Sequence, residues 1–281
     1  MEKVLLHTPE GVRDVYGKEC AVKLTIENSI NKVFNIYGYH NIQTPTFEFF
    51  DIFSKERGSV ASKNLYKFFD REGNTLVLRP DVTPSIARLV AKYYMDVKVP
   101  VKLCYNANTY INNSELQGKL KENTQLGCEL INDDSVEADA EILALVVDSL
   151  KAAGLKEFLV EIGHADFYKG LLEECGFDTE NEQELRKRIE NKNYFGVEEI
   201  LDNNNITGQL KEAFLKLPEL FGSIDVIKSA KELTDNKKAL QSIERLEKLY
   251  SILEDYGVSK YISFDLGMIS NFNYYTGIIF K

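Results

Sequence analysis

The sequence predicts an α+β fold, an antiparallel sheet flanked by helices and interrupted by an all-helical insertion. Three observations predict it. Segments of period-two hydrophobic alternation fill much of residues 65–131 and return at 261–280. Between them, residues 166–255 carry only helical periodicity. Strands, then helices, then strands again describe a sheet whose chain leaves for a helical block and comes back. The expected division is therefore 1–165 for the first part of the core, 166–255 for the helical insertion and 256–281 for the resumed core strands.

In chain order, Ile26, Ile30, Val33, Phe34 and Tyr37 fall at helical spacing in a long amphipathic helix over 18–37, and Gly38 supplies its stop. The next segment, HNIQTPTFEFFDIF, contains Pro45, which permits an extended edge segment but not a central strand. LYKFFD (65–70) and TLVLR (75–79) flank REGN and read as a hairpin with Gly73 in its turn. Thr83 and Pro84 fit the N-cap and first position of a helix through Ile86, Leu89, Val90 and Tyr93. Residues 101–110 and 125–131 form a long hairpin with a polar tip at 112–123. Ser135 caps a helix closed by Gly154, and a strand follows at Phe158 to Ile162. After the helical block, Tyr261–Leu266 and Tyr274–Phe280 read as strands joined through Gly267 to Asn273. The last strand is still apolar at Lys281, so the core is expected to be truncated there, as a fragment of a longer protein.

Composition sets the class of molecule. The 281 residues are 44% hydrophobic and 28% charged, which is globular rather than disordered. No apolar run approaches the ~20 residues that cross a bilayer, and the N-terminus has no cleavable signal, so the expectation is a cytoplasmic protein with no membrane partner. Thirty-four basic against 44 acidic residues give a charge of -10, which disfavours a phosphate backbone as partner. Only eight residues are Arg, the side chain best suited to gripping phosphate. Cys20, Cys104, Cys128 and Cys175 are far apart, with no C-x-x-C, and are expected to be reduced thiols. His7, His40 and His164 are equally scattered, so no metal site is expected; His164 follows a strand and lines a cleft only if that strand ends at one. P-loop, dinucleotide, nucleophile-elbow and zincin signatures are all missing, and no cofactor is implied.

The polar residues that remain cluster at strand ends: Arg79, Asp81 and Thr83 in LRPDVT, Gln125 and Glu129 in TQLGCEL, and Tyr274 with Tyr275 in NYYTG. Alternation puts Gln125, Gly127 and Glu129 on one face of their strand, with a glycine leaving room between two polar groups. Such a face suits a small ligand with an ammonium and a polar ring; the same pattern also describes a plain solvated sheet face. Arg79 and Asp81 could equally be a local ion pair before a helix.

LRPDVTPSIARLVA, GKLKENTQLGCELI and NYYTGIIF, in this order and spacing, resemble the class II catalytic domain of histidyl-tRNA synthetase. TPEGVRDVYG and the helix ending YGYHNIQTP, which looks like class II motif 1 with its proline at Pro45, extend the likeness. It covers residues 8–163 and 261–281; the helical block matches by position only. LRPDVTPSIAR is closer still to the synthetase's paralogue family, the regulatory subunits of ATP phosphoribosyltransferase. The resemblance implies the class II antiparallel sheet. It implies a histidine-binding site in which Asp81, Thr83 and Gln125 hold the α-amino group while Glu129, Tyr274 and Tyr275 line the imidazole side, and a homodimer built on the first helix and the Pro45 segment. Asp81 stands where the synthetase has the longer Glu.

The departures point away from catalysis. The motif 2 arginine of the synthetase falls, counting back from Gly118, on Ile111, and the arginine of the Arg-Gly-Leu-Asp-Tyr-Tyr segment falls on Ser270. Lys119 and Lys121 replace further arginines. Losing a fixed cation that neutralises developing phosphate charge costs on the order of several kcal/mol in a transition state. The resemblance therefore implies no catalytic residues here. It implies a non-catalytic regulatory subunit of ATP phosphoribosyltransferase in histidine biosynthesis, required by the short-form catalytic subunit and involved in feedback inhibition by histidine, in a hetero-oligomer without tRNA. The alternative is histidyl-tRNA synthetase with a divergent motif 2.

Overall fold

A computed structural model describes residues 6–53, 60–113, 118–269 and 275–281. The chain divides into two compact units: residues 1–133 with 148–155, and 134–147 with 156–281.

The first unit opens with α1 (Gly17–Ile36), which ends at Tyr37 and turns through Gly38. A short β1 (His40–Asn41) runs parallel to the middle of β5 (Val101–Tyr110), so the motif-1-like segment enters at a sheet edge as its proline requires. β5 pairs antiparallel with β6 (Glu122–Ile131) along its whole length, Val101 opposite Ile131 and Tyr110 opposite Glu122. This long hairpin is the floor of the unit. Its strands alternate, so Leu103, Tyr105 and Ala107 share one face with Gln125, Gly127 and Glu129, while Asn106 points the other way and donates to Glu27 of α1 at 2.9 Å.

The Leu103 face is covered by α2 (Thr83–Tyr93), whose Ile86, with Val82 just before it, packs on Val101, Leu103 and Tyr105. Burying side chains of this size contributes roughly 1.5–3 kcal/mol each. A second sheet, ordered β2-β4-β3, joins β2 (Phe47–Phe49), β4 (Thr75–Leu78) and β3 (Lys67–Phe69), all antiparallel. The β3–β4 turn is locked by Asp70, which accepts from the backbone and side-chain N–H groups of Asn74 at 2.8 Å, with Gly73 at φ +84°.

The second unit contains a four-stranded sheet ordered β10-β7-β9-β8, from β7 (Val160–His164), β8 (Phe221–Gly222), β9 (Ile262–Asp265) and β10 (Ile278–Phe280). β7 and β9 are parallel, and β7 lies between β9 and β10. The two strands expected on either side of Gly267–Asn273 are β9 and β10, and they are not neighbours in the sheet. β7 also starts two residues later than expected, because Phe158 stacks on Tyr261 at 4.7 Å instead of entering the ladder. The two-residue β8 escaped the periodicity because a strand that short has no period to read.

Helix α3 (Val136–Ala152) is capped by Ser135, whose hydroxyl accepts from Ala138 N–H, as its sequence signals. Between β7 and β9 run α4 (Ala165–Cys175), α5 (Thr179–Glu190), α6 (Tyr194–Asn203), α7 (Gly208–Lys216), α8 (Asp225–Glu232) and α9 (Lys237–Asp255). Their buried faces are those the periodicity marked: Leu171, Leu172, Leu185, Ile189, Ile200, Leu201, Phe214, Leu246, Leu249 and Leu253. Among the described residues no helix is long and apolar enough to cross a membrane.

Candidate ligand-binding site

Four of the six residues expected to bind ligand stand in the first unit, brought to one place by α2 and β6. Asp81 precedes α2 and its Oδ1 accepts from the N–H groups of Val82 (2.7 Å) and Thr83 (3.4 Å). Val82, not Thr83, is the N-cap residue, which corrects the expected helix start. The physical reason is that the Asp81 carboxylate already satisfies the first amide hydrogens. Thr83, freed from capping, donates its hydroxyl to Glu129 Oε1 at 2.7 Å across to β6.

Glu129 and Gln125 share the β6 face with Gly127 between them. The room over Gly127 is not empty: Tyr105, its register partner on β5, crosses it, and a Cβ at 127 would lie 2.5 Å from the tyrosine Cζ. Tyr105 is thus the site residue that sequence reading missed. Its signal, a mid-strand glycine directly opposite an aromatic, becomes readable only once the register is known.

The electrostatics of this face are one-sided. Burial raises the Glu129 carboxyl above its ordinary value; the Thr83 hydrogen bond pulls it back and the Asp81 charge pushes it up again. Burial, with Glu129 and Asp81 adding to it, also raises the Tyr105 phenol. Among the described residues no cation offsets either group. Gln125 makes no side-chain hydrogen bond among the described residues.

Three arginines of this unit, Arg79, Arg88 and Arg13, are committed elsewhere. Arg79, 6% exposed, gives its Nε to the carbonyl of Asn108 at 2.8 Å and its Nη1 to those of Thr44 (2.8 Å) and Pro45 (3.2 Å). It does not pair with Asp81; it ties β4 to β5 and to the Pro45 segment. Arg88 bonds Glu48, itself buried, at 2.7 Å, and Arg13 pairs with Glu19 at the surface. At the synthetase's motif 2 arginine position, Ile111 donates its backbone N–H to Lys121 and offers no charge. Lys119 is exposed, and the Lys121 stem lies against Gly11.

Tyr275 belongs to the second unit, where it is exposed and its carbonyl accepts from Lys169. Tyr274 and Ser270 lie outside the described residues. Among the described residues no group of three or more His, Cys, Asp or Glu comes together to hold a metal ion.

A pair of carboxylates, a threonine, a glutamine and a phenol, with no guanidinium beside them among the described residues, has the chemistry to accept from a positively charged polar ligand and supplies no counter-charge to a triphosphate. Comparison with known proteins agrees in family and branch. The sequence profile of the family described as histidyl-tRNA synthetase matches residues 11–281. An ATP phosphoribosyltransferase regulatory subunit of Ruminiclostridium cellulolyticum is 47% identical over the whole chain, which spans 67% of that relative. A crystal structure described as an ATP phosphoribosyltransferase regulatory subunit/histidyl-tRNA synthetase from Bacillus halodurans has a TM-score of 0.89 at 36% identity, covering 99% of this chain and 72% of that one. A chain of the ATP phosphoribosyl transferase complex from Thermotoga maritima shares the fold, with a TM-score of 0.68 at 21% identity over 91% of this chain and 85% of its own length. The chain therefore belongs to the histidyl-tRNA synthetase-like family, in the branch of the ATP phosphoribosyltransferase regulatory subunits.

Proposed function

We propose that this chain is the non-catalytic, histidine-sensing subunit of an ATP phosphoribosyltransferase in histidine biosynthesis. The observation that carries the reading is the face on which Asp81 and Glu129 stand together with no cation beside them among the described residues, Glu129 with its carboxyl raised by burial. Such a face is incomplete until a ligand supplies positive charge, and the α-ammonium and imidazole of histidine supply it at two points. Asp81, Thr83 and Gln125 take the ammonium, and Glu129 takes the ring. Ile111 in place of a guanidinium leaves an adenylate's phosphate without a counter-charge, so the ligand is held and not activated.

The relatives' name supports a catalytic ATP phosphoribosyltransferase subunit as the partner, and the proposal is that this partner is the short form and depends on this chain for activity. Feedback follows if histidine binds the two activity states of the assembly with different affinity, since equal affinity shifts no population. A homodimer is the building unit. It is supported by the outward face of the β2-β4-β3 sheet, where Phe47, Phe49 and Phe68 are exposed, and by Val22, Leu24 and Ile26 exposed on α1. The family profile keeps the synthetase as the competing reading. Histidine-dependent ATP–pyrophosphate exchange decides between them: the proposal expects none above background, and exchange at ordinary synthetase rates would overturn it.

A further inference from the structure

The second unit contains a cavity of about 520 Å³ that the reading above does not use. One of its walls is a single stripe of α9: Lys238, Gln241, Ser242 and Arg245, at i, i+3, i+4 and i+7. Ala239, Ile243 and Leu246 of the same helix are in the core, and Ser242 of the polar stripe is itself buried, so the stripe is not a plain solvent face. His164, at the end of β7 and only 5% exposed, lines the cavity from inside.

The hydrogen bonds fix what these groups present. His164 Nδ1 accepts from the backbone N–H of Asp166 at 3.1 Å. In a neutral ring the proton is then on Nε2, which leaves a donor for the cavity. Burial favours the neutral ring, depressing its pKa to about 4, with Arg245 and Lys169 lowering it further against the opposing pull of Asp166. Arg245 uses Nε on Asp139 (2.8 Å) and Nη2 on the Asp134 carbonyl (2.7 Å), and Nη1 makes no hydrogen bond among the described residues.

The acids of the cavity are not equivalent. Asp139 is paired with Arg245, and Asp166 lies 4.0 Å from Lys238. Asp134, exposed at the rim, has no ion pair among the described residues. They do not converge as metal ligands. The cavity thus has donors inside and a carboxylate at its rim.

From this layout we infer that the cavity is a ligand site separate from the one in the first unit, taking a small amino-acid zwitterion whose carboxylate accepts from His164 Nε2–H and Arg245 and whose ammonium meets Asp134. The inference is independent of the histidine-sensing proposal.

The test is imidazole nitrogen–proton correlation spectroscopy of the ¹⁵N-labelled chain at pH 7, where only three histidines, His7, His40 and His164, give signals. L-Alanine is the probe because it has no ring for the first site to read. Saturable movement of the His164 signals is expected, with His7 and His40 still. Acetate and ethylammonium, each carrying one half of the charge pair, should bind at least about tenfold more weakly, and Arg245→Gln should cost a similar factor. Should Arg245→Gln not fold, Asp134→Asn at its exposed position is expected to weaken L-alanine while leaving acetate unchanged. A His164 signal unmoved by millimolar L-alanine, glycine and L-histidine would overturn the inference, and so would acetate moving it as strongly as the amino acids.

Discussion

Glu129 shows how one residue's environment encodes both a cost and a use. Its raised carboxyl pKa means the folded state binds the proton more tightly than the unfolded chain does. Stability from this group is full below the unfolded value and declines as pH rises through and above it. Glu129→Gln is therefore expected to raise the melting temperature at pH 7 by a few degrees while weakening a cationic ligand by about tenfold or more, which thermal denaturation with and without histidine measures. A lower melting temperature in the variant would contradict a burial cost on the Glu129 charge. His164 has the opposite sign. Its pKa is depressed to about 4, so its contribution is full above the ordinary histidine value near 6.5 and is lost as pH falls from there toward 4. His164→Gln should flatten that part of the stability–pH curve; an unchanged slope over the window would mean the ring is protonated without penalty. Gly127→Ala carries a steric prediction, because the added carbon meets the Tyr105 ring. A loss of about 1–3 kcal/mol in denaturant unfolding is expected, and a neutral effect would mean the ring has somewhere else to go.

Among the elements, the β5–β6 hairpin and α2 carry the four first-unit candidate residues, and Arg79 ties β4 to β5 and the Pro45 segment. A buried guanidinium bonded to three backbone carbonyls, on the segments around Thr44, Pro45 and Asn108, takes the place of ladder hydrogen bonds that a proline-containing edge cannot form. Arg79→Met leaves those acceptors unpaired and should cost about 2–4 kcal/mol in denaturant unfolding, more than Arg88→Met, which removes one partly exposed ion pair. Equal losses would contradict the structural role given to Arg79. These elements also show what was legible beforehand. The hairpin, α1, α2 and the helices of 166–255 were readable because each carries one period over many residues, and Gln125 with Glu129 on one face follows from alternation alone. Strand order in the second unit was not readable: neighbours β7 and β9 are separated by the whole helical block, and nothing local in either strand records a partner so distant in sequence. The role of Tyr105 was likewise hidden until the register set it opposite Gly127. The Asp81 cap was missed because Thr83 has the residue type of an N-cap, and only the third dimension shows its hydroxyl turned to Glu129.

For the whole molecule, the outward face of the β2-β4-β3 sheet is the feature that a lone chain explains least. Phe47, Phe49 and Phe68 are exposed together, and a two-fold copy is the simplest cover for such a face. Sedimentation at micromolar concentration should give a dimer, and Phe49→Glu should shift it toward monomer without unfolding it; a monomeric parent chain would contradict this account. The same scale carries the central claim, that a face without cations holds histidine and does no chemistry on it. Calorimetric titration of L-histidine into the chain together with its catalytic partner tests this most directly. Saturable binding is predicted, weakened about tenfold or more by Glu129→Gln and by Thr83→Ala in the first unit. Absence of binding heat at any temperature tried, or binding that both first-unit variants leave intact, would contradict it.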